Sequence, residues 1–136
     1  MAYPLDTAAQ NATLDAMFGD NRGATMPTSF EVALYDGHPL SGGTEVSGGG
    51  YVRPVVANNS TTFPLPADGG LKTSAAIAIT DPTGAWSDTV THWLLIDAAD
   101  STTRYVWGLL SEELSIDGSE TDIEIVLAIP WNTEGL

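Results

Sequence analysis

Residues 90–97, Val-Thr-His-Trp-Leu-Leu-Ile-Asp, show almost no alternation of apolar and polar positions. A strand with one wet face alternates with period two, so this unbroken run predicts a central strand covered on both faces. A polar turn comes next at 98–103, and 104–110, Arg-Tyr-Val-Trp-Gly-Leu-Leu, returns as the second arm of a hairpin. Trp93 and Trp107 lie on the two arms and read as core. The rest of the chain has to be arranged around this hairpin.

The remaining segments are consistent with that. Residues 29–35 place Phe30, Val32 and Leu34 on one face and Glu31, Ala33 and Tyr35 on the other, before an Asp36-Gly37 turn. Residues 71–80 read as a strand with Ala75, Ile77 and Ile79 inward, ended by Asp81-Pro82-Thr83-Gly84. A short strand at 113–116 and a longer one at 121–129, with Ile123, Ile125, Leu127 and Ile129 inward, complete six to eight strands. With 14 Gly and 8 Pro favouring turns, the fold class expected is mainly β, a compact antiparallel β-sandwich or barrel-like domain.

One helix is predicted near the start. Asp6 or Thr7 caps it, Thr7 and Gln10 match a capping box, and Gly19 stands where a terminating glycine belongs. Leu14, Met17 and Phe18, with alanines at 8, 9, 12 and 16, form a weakly apolar stripe that must lie on the domain or on a neighbouring subunit. The chain thus divides into an N-terminal arm and helix (1–26), one β domain (27–130) containing a long Gly-rich loop (36–50), and a tail (131–136).

Within that loop and beyond it, 43–56 passes from Gly-rich chain to a β-rich stretch. Gly48, Gly49 and Gly50 permit positive φ, and Pro54 places the strand that contains it at a sheet edge. Read as a docking device, this region is an arm that is mobile alone, so deleting 40–50 leaves stability nearly unchanged. Arg53, one of four basic residues, is then a charge anchor for an acidic surface on a partner. Thr44, Glu45, Val46, Tyr51 and Arg53, with Leu14, Met17 and Phe18 of the helix, are the candidate contact residues.

Composition excludes several functions. The chain lacks cysteine, so thiol nucleophiles and Cys-based zinc sites are ruled out. A formal charge of −14 repels nucleic acid and anionic lipid. No apolar run approaches the roughly 20 residues of a membrane span, and the start Met-Ala-Tyr-Pro-Leu-Asp resembles no leader, so a soluble chain is expected. His92 reads as structural and His38 as solvated, with no cofactor, metal or catalytic set around either. Glu112, Glu113, Asp117, Glu120, Asp122 and Glu124 fit no calcium loop and read as a solvated acidic face. A cell-wall hydrolase using Asp97 and Glu112 is a minor alternative.

Several segments together resemble a family of small tailed-bacteriophage virion proteins: Leu-Asp-Ala-Met-Phe-Gly at 14–19, Ala-Leu-Tyr at 33–35, Gly-Thr-Glu-Val-Ser-Gly-Gly-Gly-Tyr-Val-Arg at 43–53, Val-Thr-His-Trp at 90–93, Ile-Asp-Ala at 96–98 and Trp-Gly-Leu-Leu at 107–110. Members carry a tail-fibre label or resemble capsid decoration (cement) proteins. The resemblance implies a non-enzymatic virion component. A decoration protein on the outer capsid surface, bridging major capsid protein subunits and self-associating as a homotrimer, is the first expectation. The alternative is a tail-fibre or tail-tip protein that binds host carbohydrate or receptor through loop aromatics such as Trp86 and Trp131.

Overall fold

The structure is a computed structural model that describes residues 7–20, 22–23, 25–64 and 71–130. The order is α1 (Thr7–Met17), β1 (Ser29–Asp36), β2 (Thr44–Glu45), β3 (Val55–Ala57), β4 (Leu71–Thr73), β5 (Ile77–Ala78), β6 (Val90–Asp97), β7 (Arg104–Leu114), β8 (Glu124–Ile125) and β9 (Ala128–Pro130). The fold is mainly β and antiparallel, as the sequence predicts. No helix among the described residues is long and apolar enough to cross a membrane.

β1 and β6 form the centre of a five-stranded sheet, with β7 at one edge and β2 and β3 sharing the outer side of β1. The register Ala33–Leu94–Trp107 and Leu34–Trp93–Gly108 fixes which side chains share a face. On the first face Phe30, Val32, Leu34, Trp93 and Leu95 enter the main core. Gly108 lies under the Trp93 indole, where an added Cβ would stand 2.5 Å from a ring carbon. The ring lies flat on the neighbouring strand because no side chain is there.

Two ribbons, β4–β9 and β5–β8, and helix α1 supply the second layer on this face. Ile77, Ile79, Ile125, Leu127 and Ile129 are buried as alternation requires. The predicted 71–80 strand is instead broken into β4 and β5. Lys72 and Ser74 are buried and Ala75 is exposed, because the inward phase shifts at the break. The predicted 121–129 strand likewise splits into β8 and β9, while 113–116 is absorbed in part into a longer β7.

The helix is seated on the chain's own body. Leu14 and Phe18 are buried, and Phe18 packs against Phe30 and Phe63 at ring separations of 5.8 and 5.6 Å. Asp15 pairs with Lys72 Nζ at 2.6 Å, a lysine only 1% exposed. The buried Asn58 side chain accepts from Gly19 N–H and donates to the carbonyls of Met17 and Pro27, closing the helix C-terminus. Leu14 and Phe18 are thus core residues and Met17 is half-buried against them, which corrects their reading as outward contacts. The predicted capping box at Thr7 and Gln10 lies outside the described side chains.

Candidate contact surface

The stretch 43–53 is folded into a wall of the domain. Gly48, Gly49 and Gly50 take φ of +83°, +51° and +74°, and a Cβ on Gly49 would strike the Gly84 carbonyl. Glycine is required at Gly49 by this close approach. Thr83 N–H donates to the Gly49 carbonyl and Ser87 N–H to the Ser47 carbonyl, each at 2.8 Å. Gly118 crosses Gly84 from the other side, so three backbones meet there.

Side chains complete the wall. Arg53 donates from Nε and Nη2 to both Glu45 oxygens at 2.8 and 2.9 Å, and from Nη1 to Glu31 at 2.9 Å. Tyr51 donates its hydroxyl to Glu45 at 2.9 Å and accepts from Leu34 N–H at 3.0 Å. Burial alone pushes the Glu45 carboxyl up, but the Arg53 guanidinium and the Tyr51 hydroxyl outweigh it and hold it below its ordinary value. Burial raises the Tyr51 phenol. The hydrogen bonds to Glu45 raise Arg53.

These bonds correct three sequence readings. The region 36–50 is not a free arm, because β2 pairs with β1 and Val46 is 2% exposed. Arg53 is not an outward anchor, because its guanidinium is held by two carboxylates of its own chain. Trp86 is 6% exposed and packs edge-on against Tyr51, so it offers no flat platform to a sugar. Among the contact candidates of this stretch Thr44 remains exposed. Trp131 lies outside the described residues.

The opposite face of the main sheet is built differently. Ala33, Tyr35, Leu94 and Ile96 form a small buried cluster with Trp107 packed against it. Trp107 therefore shares the hairpin with Trp93 but occupies the other side, half-buried rather than in the main core. His38 lies on Trp107 at 4.0 Å between ring centroids, and His92 is 5.8 Å from the same indole. His38 is thus not simply solvated, although its loop position gives no sign of the tryptophan it covers. Burial and then the neighbouring His38 lower the affinity of His92 for a proton, against a smaller pull from Asp36.

Neither acidic alternative is assembled. Among the described residues no group of three or more His, Asp or Glu side chains is arranged to hold a metal. Glu120 accepts from Asp117 N–H and Gly118 N–H, and Asp117 accepts from Ser119 N–H, so these carboxylates form turns. Asp97 and Glu112 lie near opposite ends of the β6–β7 hairpin, about 20 Å apart at roughly 3.3 Å per residue. Paired glycosidase carboxylates stand within about 10 Å of each other, so that pairing is overturned.

The best-formed polar constellation among the described residues, around Arg53, is bonded internally. The chain belongs to the family described as podophage GP4 fiber I protein gp80, whose family model matches residues 4–125. It is accordingly a structural protein of the tailed-phage virion. No curated protein and no solved structure matches the chain.

Proposed function

We propose that this protein is a non-enzymatic subunit of a virion fibre. The observation that supports this most is the Glu45–Tyr51–Arg53 network, which folds the would-be capsid arm into the body. A cement protein clamps its neighbours with a reaching segment, and the two segments suited to that, 36–50 and the helix, pack on their own domain. The fibre label of the family agrees with this. A fibre subunit needs instead a rigid body and a surface on which to meet its neighbours, which this fold supplies. Imaging purified particles with antibody against this chain tests it: label confined to fibres is expected. Label spread evenly over the shell would overturn the fibre reading in favour of capsid decoration and contact with the major capsid protein.

A further inference from the structure

The main sheet is layered on one face. Helix α1 and the β4–β9 and β5–β8 ribbons all pack into the first-face core. On the second face, Ala33, Leu94 and Ile96 are buried with Trp107 packed against them, and His38 lies on Trp107. No helix or strand of the described residues lies over them. Yet β6 is apolar at both phases, the pattern of a strand between two layers.

The margin of this face is apolar and open. Leu109, opposite His92 in the register, is 38% exposed, and Leu40, whose N–H donates to His38 Nδ1, is 53% exposed. Half-buried Trp107 and the two histidines form a three-ring cluster, with His38 and His92 6.3 Å apart and the indole 4.0 and 5.8 Å from them. Leu40, His38, Tyr35, His92, Trp107 and Leu109 carry no formal charge at neutral pH, on a chain whose net charge is −14. Charge enters at the edge, through Asp36 beside His92, through exposed Arg104 opposite Ile96, and through Glu31 and Glu45, which Arg53 holds.

We propose that this face is where a second copy of the chain docks, supplying a layer over Trp107 that the described residues do not provide. The charge distribution selects the occupant. Two chains of −14 repel wherever their acidic surfaces meet, so copies approach most favourably through an uncharged patch, whereas a basic partner would be drawn to the acidic surface elsewhere. A half-buried tryptophan flanked by exposed leucines has the composition of an interface centre. The inference adds a self-contact to the fibre reading and uses its premise that copies adjoin, but the test needs no particle.

Sedimentation of the purified chain over a concentration series, at low salt and at roughly 1 M salt where the Debye length falls to about 3 Å, reads the association. Self-association that strengthens with salt is expected. Leu109→Glu and Leu40→Asp should each weaken it by about tenfold or more. Val126→Glu, at an exposed position of the β8–β9 region, should leave it unchanged. Leu40 is in a loop and more than half exposed, so its variant should keep the fold, checked by an unchanged melting temperature. A chain monomeric in both salts overturns the proposal. So does association that ignores the Leu40 and Leu109 substitutions, or that Val126→Glu weakens equally. Particle imaging and sedimentation fail independently, which separates this inference from the fibre assignment.

Discussion

The two faces of the β1–β6–β7 sheet are made from the same three strands, and they differ in what lies over them. Trp93 and Trp107 show the difference at neighbouring positions. Trp93 is fully buried against Gly108 beneath a second layer of the chain's own ribbons and helix, whereas Trp107 is half-buried beneath one imidazole. The same residue type on one hairpin thus serves a core on one side and a surface on the other. Burial is decided by which elements fold back over a face, not by the residue.

Substitution of the two tryptophans gives the largest contrast. Trp93→Ala should cost about 3–5 kcal/mol, and in a domain of this size it will leave little stability, whereas Trp107→Ala should cost about 1 kcal/mol. Denaturant unfolding of both variants checks this. Equal losses would mean that both faces are core.

The first face also depends on its buried ion pair. Removing Asp15 strands the buried Lys72 ammonium, so Asp15→Ala should cost about 3 kcal/mol, whereas Lys72→Met keeps the volume without the charge and should be close to neutral. The reverse order in thermal melts would show that the helix is not seated there. At the sheet edge, Tyr51→Phe removes one hydroxyl that both donates and accepts and should cost about 1–2 kcal/mol. An unchanged melting temperature would return 43–53 to the status of a loop.

Acid separates the regions by a smaller effect. The proton affinity of His92 is lowered in the fold, so the unfolded chain binds the proton more readily. Its contribution is present above the ordinary value of 6.5 and is lost as pH falls through the lower folded value. Glu45 is also held below its ordinary value of 4.5, and its contribution is lost only below that, as pH falls through its own folded value. Stability should therefore decline in two steps, the second face first and the edge later. His92→Gln should remove the first step and Glu45→Gln the second, as measured by unfolding midpoints against pH.

Much of the fold is legible in the sequence because it rests on local pattern. The alternation of 29–35, the continuous run of 90–97 and its return strand give β1, β6 and β7, and Gly19 gives the end of the helix. The features that escape sequence reasoning depend on partners far along the chain. Gly49 needs Gly84, which Gly118 also approaches, Asn58 serves a helix end some 40 positions earlier, and Lys72 finds Asp15 across 57. A glycine run reads as slack unless the backbone that fills it is known. Arg53 reads as free because its two carboxylates stand on different strands. Glu31 and Glu45 are nevertheless visible in the sequence, and their places opposite one edge arginine are the available signal. The continuous apolar run of β6 shows that both its faces are covered, but it cannot say that one of the two layers is thin.

Oxidative footprinting of the dilute protein, with modified residues located by mass spectrometry, tests the inequality of the two faces most directly. Trp107 should be modified readily while Trp93 and Trp86 stay intact, and raising the protein concentration should protect Trp107. Modification of Trp93 and Trp107 to the same extent, or an inert Trp107 in the dilute chain, would contradict the account.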